Sequence, residues 1–176
     1  MFVLGASGRD GSRAFEQSRA ITNQLVDVEM PSPTHYGVVL YNQDAFPSAK
    51  FQDFPEKSQL KQHISRIAWP QGSSSYEKGV AKALEMFTLY GDPEAERLIV
   101  LFVNGKTAAS EEEMKAIHDV LMRKRIQLVV VAIGNDVEGQ KLRILAPNDK
   151  NIVRVGTTDG ATQVSGKVSI IIVTGG

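Results

Sequence analysis

Two nearly uninterrupted apolar runs in the second half of the chain constrain the fold most strongly. Arg97–Val103 reads RLIVLFV and Leu128–Ile133 reads LVVVAI, and neither run alternates with polar residues. Such runs are typical of strands that are covered on both faces, as in parallel sheets. Between them, Ser110 is followed three residues later by Glu113, a capping-box pattern that predicts the start of a helix. The order strand, helix, strand predicts a parallel pair joined by a crossover helix.

The rest of the chain continues this alternation. Apolar runs and helical spacing predict strands at 1–5, 36–41 and 152–155 and helices at 12–26, 56–67, 76–90 and 138–145. Pro47 fits an edge strand or a strand start, so one short antiparallel edge strand is expected near residues 45–51. We therefore expect one doubly wound α/β domain over residues 1–176, with a mostly parallel six-stranded sheet and helices on both faces. The tail at 161–176 stays open between a helix and the strand-like run at 170–173.

Charge and cysteine content exclude several classes of function. Lys+Arg and Asp+Glu both count 20, and this zero balance argues against a nucleic-acid binder and against binding to anionic lipid. The absence of cysteine removes disulfides, thiolate catalysis and cysteine-based metal sites. No apolar stretch approaches the roughly 18 residues that span a membrane, so no membrane insertion is expected. No signal-peptide pattern begins the chain, and we expect a domain excised from a longer protein, with the signal peptide outside this segment.

The loop after the first predicted strand offers an enzyme interpretation. Gly5, Gly8 and Gly11 follow the apolar strand, and VLGASGRDG looks like the opening of NAD(P)-dependent short-chain reductases. The context disagrees, because a ribose-reading residue is expected about 20 residues beyond the glycines. The nearest acid after the second strand is Asp44, and Tyr76 has no lysine four residues later. A tight turn needs glycine without any ligand, and the reductase is kept as an alternative.

A second resemblance covers the chain from residue 1 to about residue 160. The segments that carry it are, in chain order, MFVLGASGRDGSRAFEQSRAI, YGVVLYNQDAF, FPEKSQLKQHISRIAWPQGSSSYEKGVAKAL, RLIVLFVNGK, IQLVVVAIGN and KLRILAPNDKNIVRV. In that order they resemble the strands, helices and loops of a von Willebrand factor A domain. The resemblance implies a protein-recognition module that is not an enzyme, and no catalytic residue is predicted.

The resemblance also implies positions for a Mg²⁺ or Mn²⁺ site at the carboxyl edge of the sheet. The ligand positions of intact family members fall on Gly5, Ser7, Arg9, Ser74 and Asn104. Two hydroxyls survive, but both carboxylate positions are lost and an arginine stands among them. Hard divalent cations depend on anionic oxygen ligands, and a guanidinium keeps its positive charge. We therefore expect no functional metal site and no cofactor, with Asp10 as a candidate rescue carboxylate.

The resemblance favours a metal-independent role in the extracellular matrix, because A domains without a complete motif also recognise proteins. It implies a secreted protein with collagen or another matrix protein as its first-choice partner, and neighbouring A domains as further partners. The predicted partner-binding face consists of loop residues at the carboxyl edge: Ser7, Arg9, Asp10, Ser74, Asn104 and Lys106. A purely structural spacer in a tandem array of A domains is the other alternative.

Other residues carry lesser hypotheses. His35, His63 and His118 stand in separate segments, so they are expected as surface or helix-face residues rather than as a cluster. Trp69 is either an exposed binding anchor or a plug at a helix end. The cations at 123–125 suit the negative end of a helix dipole better than a polyanion site.

Overall fold

The computed structural model describes residues 1–7 and 10–175, which form six strands and six helices. The strands are β1 Phe2–Leu4, β2 Val38–Tyr41, β3 Ala45–Ala49, β4 Arg97–Val103, β5 Ile126–Ile133 and β6 Ile152–Val155. The helices are α1 Gly11–Val26, α2 Lys57–Arg66, α3 Tyr76–Tyr90, α4 Glu111–Arg123, α5 Gly139–Leu145 and α6 Ala161–Thr174. A short 3-10 turn at Asp149–Asn151 leads into β6.

The strands form one sheet in the order β3-β2-β1-β4-β5-β6. Strand β3 pairs with β2 in antiparallel fashion, and all other neighbouring pairs are parallel. This confirms the predicted doubly wound sheet with one antiparallel edge strand. The strand order reverses between β1 and β4, and in open α/β sheets the crevice beyond the carboxyl ends at such a reversal is the usual binding position.

Strand β4 shows why its apolar run is continuous. Ile99 and Leu101 lie in the core cluster that includes α3 and α4, whereas Val100 and Phe102 lie in the cluster that includes α1, α2 and α6. Successive strand side chains point to opposite faces, so a strand that is covered on both faces needs apolar residues at every position. The domain therefore has three layers, helices, sheet and helices, and one cluster fills the core on each face of the sheet.

The start of α4 is the predicted capping box. Ser110 Oγ accepts a hydrogen bond from the Glu113 backbone N–H at 3.1 Å, and Glu113 Oε2 accepts one from the Ser110 backbone N–H at 2.7 Å. Arg123 lies in the last turn of the helix, where a cation interacts favourably with the helix dipole. This boundary is therefore encoded locally.

The structure shortens the predicted edge strand and decides the conformation of the tail, which the sequence left open. Strand β3 ends at Ala49, because a turn follows in which Asp53 Oδ2 accepts the Lys50 N–H at 2.8 Å. The tail is helical: Val164 and Val168 of α6 are buried, and Ser165 Oγ donates to Gln24 Oε1 of α1 at 2.7 Å. Packing against α1 overrides the strand propensity of the isoleucine run. None of the described helices is long and apolar enough to cross a membrane.

Candidate recognition site at the carboxyl edge of the sheet

Three loops meet beyond the carboxyl ends of the central strands, and they are called the edge loops. The first edge loop follows β1 (residues 5–10), the second precedes α3 (residues 67–75), and the third follows β4 (residues 104–110). The predicted face draws residues from all three loops. Gly8 and Arg9 lie outside the described residues.

Two serines from different edge loops come together beside Gly105. A Cβ atom built on Gly105 would lie 2.1 Å from Ser7 Oγ and 3.3 Å from Ser74 Oγ. Any larger residue at position 105 would push the two loops apart. Ser74 is 1% exposed, and its hydroxyl has no hydrogen-bond partner among the described residues. The structure thus brings together the two hydroxyl positions that the sequence predicted.

Asn104 directly follows β4 and directly precedes Gly105 in the third edge loop. Its side chain is 5% exposed, and Nδ2 donates to the Ile133 carbonyl oxygen of β5 at 2.7 Å. The other amide atom, Oδ1, has no partner among the described residues. Asn104 therefore ties β4 to β5 with its donor and leaves a buried neutral acceptor at the site.

Gly5 and Tyr41 form a pair that sequence reasoning did not predict. A Cβ atom on Gly5 would lie 2.5 Å from Cζ of the Tyr41 ring, so the ring fills the space that a side chain at position 5 would use. Tyr41 is fully buried; its hydroxyl lies 2.6 Å from the Phe102 carbonyl oxygen and 3.2 Å from that of Gly5. A phenol has one proton, so the shorter contact takes it. Burial raises the pKa of Tyr41 and keeps this donor neutral. In the sequence, the only feature that distinguishes Tyr41 is its position at the end of a predicted strand.

The remaining residues of the predicted face lie at its margin. Asp10 is exposed at the start of α1, where its side chain makes no capping hydrogen bond. Lys106 is exposed in the third edge loop, next to Gly105. Neither side chain makes a described contact with the two serines or with Asn104, so the structure does not unite the whole predicted set.

Trp69 joins the first and second edge loops. Its indole Nε1–H donates to the Ala6 carbonyl oxygen at 2.9 Å. The same ring packs against the start of α1, where a Cβ on Gly11 would lie 2.6 Å from Trp69 Cζ2. The half-buried ring thus packs between the two loops, as the plug interpretation expects, and part of it stays exposed. Gly5 and Gly11 each lie against an aromatic ring, and this packing accounts for both glycines without a bound nucleotide.

A buried acid, which the sequence did not reveal, supports the third edge loop. Thr107 Oγ1 donates to Glu77 Oε2 at 2.5 Å, and the Ala109 backbone N–H donates to Thr107 Oγ1 at 3.2 Å. Glu77 and Thr107 are 9% and 5% exposed. Lys141 of α5 donates to the Thr107 carbonyl oxygen at 3.1 Å. The loop that carries Asn104 and Lys106 is thus anchored to α3 and α5 through one threonine.

The histidines make separate local contacts. His63 Nε2 lies 2.9 Å from Ser48 Oγ, and His118 Nδ1 lies 3.2 Å from the Leu145 carbonyl oxygen. Within residues 1–7 and 10–175, no group of three or more His, Cys, Asp or Glu residues is placed to hold a metal ion. The histidines therefore belong to no common site in the described part of the chain.

The family is decided by a match that spans most of the chain. Residues 1–167 match the family model for the von Willebrand factor type A domain. The chain belongs to the von Willebrand factor A family. Domains of this family are typically protein-interaction or adhesion modules and are generally non-enzymatic.

Solved structures share the fold of this A domain. Proximal thread matrix protein 1 of the mussel byssus, with a zinc-occupied MIDAS motif, matches with a TM-score of 0.82 and 15% identity, over 97% of this chain and 44% of that one. Manganese-loaded TRAP protein of Plasmodium vivax matches with a TM-score of 0.73 and 15% identity, over 95% and 71% of the two chains. A type A domain protein of Catenulispora acidiphila matches with 0.74 and 17% identity, over 97% and 40%. This chain spans less than half the length of the mussel protein.

Among the described residues of this A domain, those at the family's ligand positions do not fit the divalent cation that the family implies. Gly5 brings no side-chain oxygen, and the side-chain oxygens of Ser7, Ser74 and Asn104 are neutral. The nearby buried carboxylate of Glu77 already accepts the Thr107 hydroxyl. Mg²⁺ and Mn²⁺ are held mainly by anionic oxygen, and neutral hydroxyls and an amide do not replace two carboxylates.

A cavity of about 560 Å³ lies at the opposite end of this A domain, near the amino ends of the strands. Its lining includes Phe2, Tyr36, Phe51 and Phe87, and none of the described residues of the predicted face borders it. The cavity is therefore separate from the candidate recognition face.

Proposed function

We propose that this A domain is a metal-independent protein-recognition module of the extracellular matrix, with collagen as its first-choice partner. The observation that carries the proposal is the neutral donor set at the carboxyl edge, where a tyrosine ring fills the space at position 5. The family's typical role supports recognition of a protein, and its matrix and adhesion members support the location.

The partner-binding face comprises Ser7, Arg9, Asp10, Ser74, Asn104 and Lys106. Lys106 and Asp10 are exposed and present charges of opposite sign, and Ser7 is half-buried. Arg9 adds a cation by sequence between Ser7 and Asp10. Ser74 and Asn104 are buried and shape the floor of the face. Such a mixed rim suits a polar protein surface with both charges, which collagen provides.

The test is binding of the domain to immobilised native collagen in excess EDTA, beside heat-denatured collagen. The proposal expects binding to the native triple helix alone, and unchanged binding when Mg²⁺ replaces EDTA. Arg9→Ala and Lys106→Ala should each weaken binding at least severalfold, since charged contacts at an interface affect both affinity and association rate.

Lys57→Ala is the matched control for these variants. Lys57 is an exposed lysine beside Tyr36, at the opposite end of the sheet. Its loss should leave binding unchanged. No binding to native collagen would overturn the choice of partner, and binding that requires Mg²⁺ would overturn metal independence.

A further inference from the structure

Hydrogen bonds within the protein join the edge loops to one another and to the strands and helix beside them. Trp69 Nε1 donates to Ala6 O at 2.9 Å and joins the second loop to the first. Thr107 Oγ1 donates to Glu77 Oε2 at 2.5 Å and joins the third loop to the start of α3, which continues the second. Tyr41 Oη of β2 donates to the Phe102 carbonyl oxygen at 2.6 Å and lies 3.2 Å from that of Gly5, so it joins β2 to the end of β4 beside the first loop. The three contacts are called the loop ties.

The loop ties connect the same three loops that supply the family's ligand positions. Those positions fall on residues 5, 7 and 9 in the first loop, 74 in the second and 104 in the third. An ion at that point would hold the loops together through their side chains. Here hydrogen bonds fix the loops to one another or to the adjoining strand and helix, without a central atom.

Two of the ties are buried and the Trp69 tie is partly buried, and burial makes a hydrogen bond costly to break. Tyr41 is fully buried, Thr107 and Glu77 are less than a tenth exposed, and Trp69 is half-buried. Breaking a buried hydrogen bond leaves a donor or acceptor that water cannot reach easily, and a bond to a charged carboxylate is among the stronger ones. The Glu77–Thr107 tie is therefore the best single target.

We propose that the loop ties, and not a divalent ion, hold the edge loops in one arrangement, with Thr107 as the main positioning residue of the third loop. The described residues of the recognition face are then held in place without an ion, and their conformation does not respond to divalent cations. The consequence for binding rests on the proposed function, whereas the mechanical part is a property of the free domain.

The experiment is amide hydrogen exchange of the free domain, comparing wild type, Thr107→Val and Thr107→Ser, each in EDTA and in millimolar Mn²⁺. Valine keeps the shape but removes the hydroxyl that Glu77 and the Ala109 N–H both use; serine keeps that hydroxyl. We expect about tenfold faster exchange at residues 104–109 in Thr107→Val, with β4 and β5 unchanged. Thr107→Ser should match wild type, and Mn²⁺ should change none of the three proteins.

Three results would overturn the proposal. Unchanged exchange in Thr107→Val would mean that the tie does not position the loop. Equal acceleration in β4 and β5 would mean that Thr107 only supports global stability. Slower loop exchange of the wild type in Mn²⁺ would mean that an ion joins the loops.

If Thr107→Val does not fold, Trp69→Phe removes the Nε1–H tie, and faster exchange at residues 6–7 alone is expected. A failure to bind collagen would leave all these results unaffected.

Discussion

The two carboxylate positions that the family resemblance implies have been lost in different ways. At position 5 the side chain is absent and the Tyr41 ring occupies its space, so the local packing has been rebuilt. At position 104 a side chain of nearly the same shape remains, and its amide donates to the Ile133 carbonyl oxygen. Position 5 has no space left for a side chain, whereas position 104 keeps a side chain of similar shape and lacks only the charge. This difference predicts how much each reversal should cost.

Gly5→Asp should have the largest effect. The new Cβ would overlap a buried ring whose hydroxyl is held at 2.6 Å from the Phe102 carbonyl oxygen, and a charged group would be introduced at a buried position. We expect a loss of about 3 kcal/mol or more in the free energy of unfolding. Urea denaturation measures it. Gly160→Asp is the control, because nothing lies within 4 Å of a Cβ there and an acid at this helix N-cap should be neutral or slightly stabilising.

A double-mutant cycle shows whether Tyr41 causes that loss. Gly5→Ala alone should cost about 1–3 kcal/mol through overpacking. In a Tyr41→Leu background the same glycine-to-alanine step should cost less, with a coupling above about 0.5 kcal/mol. Additive costs would show that the ring does not fill the space at position 5 in solution.

Asn104→Asp should have the second largest effect. The introduced carboxylate would face the Ile133 carbonyl oxygen with an acceptor instead of a donor, at a 5% exposed position. We expect a loss of about 1–3 kcal/mol at neutral pH. The deficit should shrink at acid pH, because the protonated carboxyl again donates. Asn42→Asp is the matched control, since its Nδ2 also donates to a carbonyl, that of Gln71 at 3.2 Å, but in an exposed contact. An equal loss in both variants would contradict the role of burial.

The elements that could be predicted from sequence are those encoded by local pattern. The runs of β4 and β5 and the capping box of α4 are complete signals within about ten residues. The sheet and its antiparallel edge follow from the alternation, and the tail stayed open because its burial depends on α1, some 140 residues away. Sequence also predicted the meeting of Ser7 and Ser74, although only through the family pattern.

The loop ties were not predicted, because each joins residues that are distant in the chain and individually ordinary. Tyr41 reads as the last residue of a strand, and Glu77 reads as an acid in the first turn of a helix. Only the folded chain shows that their partners are backbone oxygens and a threonine some 30 to 60 residues away. A site built from side chains aimed at the backbone leaves little trace in residue type or spacing.

Alkaline pH should have a smaller effect, which tests the Tyr41 side of the comparison. Burial raises the pKa of Tyr41 in the folded state, whereas an unfolded tyrosine ionises near pH 10. A folded pKa above the unfolded value means that the contribution is complete below about pH 10 and is lost as the pH rises further. At about pH 11 the loss should be about 1.4 kcal/mol. The wild-type free energy of unfolding should therefore fall more steeply than that of Tyr41→Phe, and parallel curves would contradict the burial of this phenol.

Divalent cations should have the smallest effect on the wild type. A specific ion at one hundred times its dissociation constant would add about 2.7 kcal/mol of stability, whereas we expect an unchanged melting temperature in Mg²⁺ or Mn²⁺. The comparison between the two lost positions becomes sharpest here. Asn104→Asp returns a carboxylate at one of the ligand positions that the family resemblance implies, so any response to Mn²⁺ should be larger in this variant than in the wild type. A clear stabilisation of the wild type itself would mean that this chain binds an ion without those two carboxylates, and the proposed metal independence would fail.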